Sequence, residues 1–393
     1  MLYKSKNIEF KKNTPSAFVV CSPLQLLCAI EAEKEFEIHD ALYVIILRHG
    51  WIRNDQLLAM AEFAHLNYIS IFDDEKVSLE AMEKGTDYFV DIDSSVKFER
   101  IFIGDYFDTV LYRAAYKYAM KGTRILYLDD GNASISLLSG KSDVPKPQVL
   151  RKRLLWLRHA KNEKMLRRKE YIDFLNDKGI ICTNCFFTLF SDIRTSKFVL
   201  FPNTFANLRN DYSTNAEKDV VLIVGPIFAN IQELYHIPEA EMEAIYWKKM
   251  SEVKSIYSDN DILFIPHGRD ENQNIPVFCK LLNIKYTKIL EALEWYVVKS
   301  NIKPIAIYGQ GSTALFTLKK MYPEAFVVNW LLDKKNDNPI HYRDIRKSNY
   351  YKKHGIIEER IPFPITSFRQ KMHYWMQDIQ SILEWFKDKL KQI

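Results

Sequence analysis

TRILYLDDGNASI, residues 123–135, is a short apolar run that stops at two adjacent carboxylates and a glycine. Ile125, Leu126, Tyr127 and Leu128 show no polar alternation, the pattern of a strand buried on both faces of a parallel sheet. Asp129 and Asp130 then stand at its carboxyl end, where open α/β sheets hold their ligands. A metal site, a catalytic base and an acidic turn all fit such a pair.

Outward from this stretch the chain alternates strand and helix. SAFVVCS reads as a strand ending at Ser22, followed by a helix, PLQLLCAIEAEKEF, with proline in its first turn. ALYVIIL is the next strand, closed by Arg48-His49-Gly50, and NDQLLAMAEFAHL is a helix capped by Asn54 or Asp55. The strands FERIFIGDY and RILYLDDG follow, with helical TVLYRAAYKYAMK between them. The rhythm restarts with KDVVLIVGPIF, DILFIPHGRDEN, KPIAIYGQGSTALFTLKKM and EAFVVNW. This order predicts two α/β domains, each Rossmann-like. Their boundary is expected in the polar stretch 200–218, giving 1–208 and 209–367 as the two domains. Residues 368–393 carry Met372, Met376, Ile379, Leu383, Phe386 and Leu390 on one helical face, the pattern of a C-terminal amphipathic helix docked on the protein.

A chain of 393 residues is too long for one core and suits two domains of about 150 to 200 residues. With 47% hydrophobic and 27% charged residues it has the composition of a globular protein. No apolar run approaches the roughly 20 residues that span a bilayer, and the opening segment lacks the apolar core of a signal peptide, so a cytoplasmic location is expected. Five scattered cysteines argue against a disulfide framework, and the lone pair Cys182 and Cys185 lacks the second pair of a zinc ribbon. Between Lys146 and Lys169 ten residues are Lys or Arg and only Glu163 is acidic, with Leu150, Leu154 and Leu157 at helical spacing. That segment fits a solvated helix, and it also fits a surface that attracts an anionic polymer or anionic lipid, such as that on the inner face of a membrane. No nucleic-acid-binding motif accompanies the charge.

Three predicted strand ends carry groups suited to chemistry. Asp129-Asp130-Gly131 is the first, Pro266-His267-Gly268-Arg269 the second, and Gly309-Gln310-Gly311-Ser312-Thr313, at a helix start, the third. Exposed N–H groups and the helix dipole favour an anion at the third, although Gly-x-Gly-Ser-Thr also serves as a plain helix cap and Asp-Asp-Gly as a plain turn.

In this order and spacing, Asp129-Asp130-Gly131, Pro266-His267 and Gly311-Ser312-Thr313 resemble the motifs of the bacterial sialyltransferases of the lipooligosaccharide and capsular polysialyltransferase group. The opening CSPLQLLCAIEA, with Ser22 and Gln25, and the Gly104-Asp105-Tyr106 turn are similar to that group as well. The likeness spans about residues 17–330 and departs from the group where His267 is followed by Gly268 in place of proline.

The resemblance implies two facing Rossmann-like domains of the glycosyltransferase B type, an inverting mechanism and CMP-sialic acid as donor. It makes Asp129 the general base supported by Asp130 and Gly131, places Ser22, Gln25 and Asp105 on the acceptor side, and gives His267 to the leaving phosphate. Pro266, Gly268, Arg269, Gly225, Gly311, Ser312 and Thr313 would line the donor site, with Glu291 on the ribose. The adjacent Asp pair lacks the Asp-x-Asp spacing of a metal-bound diphosphate site, so no metal or other cofactor is expected. A B-type enzyme using another nucleotide sugar and a non-catalytic membrane-surface scaffold are the competing readings. A dehydrogenase is disfavoured because VVCSPLQLL lacks the Gly-x-Gly-x-x-Gly turn.

Overall fold

Ile125, Leu126 and Tyr127 are wholly buried between two parallel neighbours, as their unbroken apolar run requires. The computed structural model describes residues 14–51, 53–73, 96–140, 163–212, 218–229, 231, 237–333 and 339–362. The chain divides into two compact α/β units, each built on its own parallel sheet, and each unit is Rossmann-like.

Among the described residues the first sheet holds β1 (Ser16–Val20), β2 (Ala41–Arg48), β3 (Tyr68–Asp73), β4 (Phe98–Ile103), β5 (Ala119–Tyr127), β6 (Ile181–Thr188) and β7 (Val199–Pro202). Their order is β3-β2-β1-β4-β5-β6-β7. The chain winds outward from β1 to β3, then returns to β4 on the other side of β1, and this reversal opens a crevice beyond the carboxyl ends of β1 and β4. Phe18 stacks between Tyr43 and Phe102 at 5.0 and 4.8 Å, locking β1 to both neighbours. Burying each such side chain stabilises the unit by about 1.5–3 kcal/mol.

Two local expectations are corrected. The helix after β4 covers only Thr109–Tyr118, because Ala119 already pairs with Phe98 and Thr123 Oγ1 donates to the Phe98 carbonyl at 2.6 Å, pulling 119–121 into β5. Asn54 does not cap the helix Arg53–Phe63; its side chain accepts from Arg48 N–H at 3.0 Å and donates to the Arg48 carbonyl at 2.7 Å, closing the turn after β2. Cys182 and Cys185 both lie on β6, Cys185 buried and Cys182 partly exposed, and both are free thiols.

The second sheet holds β8 (Lys218–Val224), β9 (Asp261–Ile265), β10 (Lys285–Tyr286), β11 (Ile302–Gly309), β12 (Phe326–Asp333) and β13 (Ile357–Pro362), in the order β10-β9-β8-β11-β12-β13. Its reversal falls between β8 and β11. The helix Glu239–Ile256 buries Met242, Tyr246, Met250 and Val253 at helical spacing, in one core with Val221, Ile223, Phe264 and Trp330.

The division between units is not a single point in the sequence. Leu290–Asn301, with the helix Leu293–Lys299, belongs to the first unit, where Trp295 packs edge-on against Phe63 at 5.6 Å. The expected helix at 368–393 and most of the basic segment 146–169 lie outside the described residues. No helix among the described residues is long and apolar enough to cross a membrane.

Candidate functional site

At the carboxyl edge of the first sheet, β5 delivers Asp129 and Asp130 into different surroundings. Asp129 is fully buried. Its carboxylate accepts from Thr188 Oγ1 at 2.8 Å and from Leu189 N–H at 2.6 Å, with Ser134 as a further partner. Burial raises its pKa from 3.8 to about 6 against those hydrogen bonds. Asp129 therefore ties the end of β5 to the end of β6. Gly131, at φ +74°, turns the chain into the helix Ala133–Ser139.

Asp130 points the other way and is only partly buried. Its Oδ1 accepts from Gln25 Nε2 at 2.8 Å, while Gln25 Oε1 accepts from Cys21 N–H at 2.8 Å. Gln25 is thus pinned at both ends of its amide, and Gly104 makes room for it, since a Cβ there would sit 2.8 Å from Gln25 Cβ. Burial raises the Asp130 pKa, opposed by the Gln25 bond and the nearby Arg53. Ser22 caps the helix Pro23–Glu35 by accepting from Gln25 N–H, which sets the start of that helix at the end of β1.

Asp105 is a turn former, its Oδ1 accepting from Phe107 N–H at 2.7 Å. The Arg168 guanidinium lies 3.3 Å over the Tyr106 ring and donates to Tyr112 Oη at 3.1 Å, so this turn is held from above. Arg48, at the end of β2, pairs with Asp108, which also caps the helix Thr109–Tyr118. Asp105, Asp108 and Asp130 all lie near enough to the buried Cys21 to add to the rise that burial imposes on its thiol. Ser22, Gln25, Asp105, Asp129, Asp130 and Gly131 are therefore gathered at one edge. Arg48, Arg53, Asp108 and Thr188 join them, and sequence reasoning missed these because each is an ordinary strand-end or turn residue until its neighbours are known.

In the second unit, Gly225 follows β8 and Pro266 follows β9. A Cβ on Gly225 would meet the Phe264 ring at 2.8 Å and Pro266 Cα at 3.1 Å, so only glycine lets the two strand ends close together. His267 sits in a turn closed by Asp270 N–H donating to its carbonyl at 2.8 Å. Asp270 in turn accepts from Phe228 N–H at 3.0 Å, so the turn through Gly268 is anchored to the loop after β8. Arg269 N–H donates to His267 Nδ1 at 3.2 Å, which in a neutral ring leaves the proton on Nε2. Arg269 itself is exposed.

Gly309 ends β11 and Gly311 begins the next turn at φ +59°, donating its N–H to Asn329 Oδ1 at 2.8 Å. Ser312 caps the helix Thr313–Met321, its Oγ accepting from Ala314 N–H at 3.2 Å. With β8 lying between β9 and β11, His267 and the Gly311–Thr313 turn flank the reversal point of this sheet. Glu291 is not among them: it lies in the segment grouped with the first unit, 3.7 Å from Lys299 Nζ.

No protein-family model and no curated protein sequence matches the chain. Among solved structures it is similar to an α/β-galactoside α-2,3-sialyltransferase from Photobacterium phosphoreum, at 13% identity over 88% of this chain and 99% of that one, with a TM-score of 0.47. It is also similar to MurG of Acinetobacter baumannii, at 9% identity over 96% and 95% of the two chains with a TM-score of 0.42. S. aureus MnaA with UDP is 11% identical over 86% and 87%, with a TM-score of 0.43. Likeness at these values bears on neither substrate nor chemistry.

Proposed function

We propose that the protein is an inverting glycosyltransferase of the B type that moves sialic acid from CMP-sialic acid to a glycan acceptor. One observation carries this reading: the reversal point of each sheet is furnished for one half of such a reaction. The first holds a partly exposed carboxylate oriented by an amide, and the second holds a histidine after β9 and, on the other side of β8, a glycine turn that opens a helix.

The two carboxylates divide the work differently from what the resemblance implies. A general base needs a carboxylate oxygen that an acceptor hydroxyl can approach. Asp129 is fully enclosed by the groups that brace β6, whereas Asp130 is partly exposed and aimed by Gln25. We therefore assign the base to Asp130 and the bracing role to Asp129. In the reaction, the acceptor hydroxyl gives its proton to Asp130 as its oxygen bonds to the anomeric carbon. The bond from that carbon to the phosphate oxygen breaks, its electron pair leaves with CMP, and the Nε2–H of His267 donates to the departing oxygen. A single displacement inverts the anomeric centre.

Ser312, Thr313 and the dipole of their helix stabilise the charge that builds on the phosphate. Because Asp129 and Asp130 face different partners, they are not arranged to chelate one ion, which supports a reaction that needs no metal. The basic stretch from Lys146 to Lys169 is proposed to attract an anionic acceptor or the membrane that carries it.

The test is to incubate the purified protein with CMP-sialic acid and a panel of labelled galactosides and sialosides, following CMP release and product. Transfer with inversion supports the reading. Consumption of a different nucleotide sugar would keep the enzyme class and replace the donor, and turnover of none would remove both.

A further inference from the structure

We propose that Lys347 is the cation that binds the donor phosphate, a role that rests on the nucleotide-sugar reading above. The glycine turn alone is short of donors for an anion, because the N–H of Gly311 is committed to Asn329. The helix Pro339–Lys353 supplies what is missing. Its Lys347 side chain is only 13% exposed, and the ammonium lies 3.6 Å from the position a Cβ on Gly311 would take. An ammonium has three donors. One goes to Asp344 Oδ1 at 2.8 Å, which holds the group in place and leaves two for a ligand at the turn.

The same helix grips the turn at two further points. Four residues on from Lys347, and so on the same helical face, Tyr351 Oη donates to the Ser312 carbonyl at 3.1 Å. Ser348 Oγ accepts from Asn329 Nδ2 at 3.3 Å and donates to Glu358 Oε2 at 2.5 Å, so Asn329 is oriented to receive the Gly311 N–H. A cation fixed by this frame is preorganised for a phosphate at Ser312 and Thr313, and it strengthens its hold as negative charge develops on the leaving group.

Calorimetric titration of the full chain with CMP and with cytidine tests the assignment. The wild type is expected to bind CMP more tightly than cytidine. Lys347→Met should weaken CMP roughly 10- to 100-fold, the worth of one charge-assisted hydrogen bond, with cytidine unchanged and Lys347→Arg intermediate. Equal CMP affinity in Lys347→Met and wild type overturns the proposal. Should Lys347→Met lose its fold, Asp344→Asn decides, since it keeps the Oδ1 that holds the ammonium and removes the negative charge beside the phosphate position: tighter CMP with unchanged cytidine supports the role, and unchanged or weaker CMP refutes it. If the wild type binds UDP and not CMP, the donor assignment fails while Lys347 is judged by UDP against uridine in the same variants. If it binds no nucleotide, both fall.

Discussion

Replacing Asp129 and Asp130 separately distinguishes a brace from a base. Asp129→Ala removes the acceptor of the Thr188 hydroxyl and the Leu189 N–H, both in the interior and bonded at 2.8 and 2.6 Å. A buried donor left without a partner costs about 1–3 kcal/mol, so the two together cost about 2–6 kcal/mol. For a unit of this size about 2–4 °C of melting temperature is lost per kcal/mol, which predicts a fall of about 4–24 °C at about pH 4, where Asp129 is protonated in the folded chain and the substitution removes no buried charge. Asp130→Asn keeps the Oδ1 that receives the Gln25 amide and removes only the proton-accepting charge. Its melting temperature should stay within a degree or two of wild type, while turnover falls about 10²- to 10⁴-fold with CMP binding intact. Thermal unfolding by circular dichroism, paired with CMP-release kinetics on the same preparations, reads both effects. The reasoning is refuted if Asp129→Ala melts like wild type, or if Asp130→Asn turns over normally while a folded Asp129→Asn does not.

Gly104→Ala should displace Gln25 and detach Asp130, lowering turnover at least tenfold and the melting temperature with it, because the clash reaches the Cβ of a buried side chain and strips the acceptor from Cys21 N–H. His267→Ala should lower turnover about 10²- to 10⁴-fold; a near-normal rate would return this histidine to a turn-forming role. The pH dependence has a definite sign. The folded-state pKa of Asp129 is raised from 3.8 to about 6, so its ionisation opposes folding fully above about pH 6, and that penalty is relieved as pH falls toward 4. The rise corresponds to about 3 kcal/mol, and urea titrations between pH 4 and 7 should show wild type gaining stability relative to Asp129→Asn as pH falls. Turnover should survive exhaustive treatment with a chelator; loss restored by a divalent cation would contradict the metal-free mechanism.

The order of strands and helices was legible because a strand buried on both faces has no choice but to be apolar throughout, and its end is announced by the first charge or glycine. Ile125–Leu128 followed by Asp129, and Ile262–Ile265 followed by Pro266 and His267, placed these candidate groups at strand carboxyl ends from the sequence pattern. What adjacency in sequence does not carry is direction. Asp129 and Asp130 are chemically identical neighbours, and only the position of β6, with Thr188 and Leu189 59 and 60 residues away, decides that one is enclosed and the other reachable. The partner that aims Asp130 is 105 residues away in Gln25, and the space for it depends on the side chain that Gly104 lacks. Lys347 had no local signal at all, since a lysine among the charged residues of a helix looks solvated until the helix is laid against the Gly311 turn. Local pattern is set by the backbone period and by what each side chain does in water, so the sequence alone determined the two α/β units and their strand ends. Contacts between distant segments depend on how the sheets order themselves, so only the tertiary structure decided which residues at those ends meet.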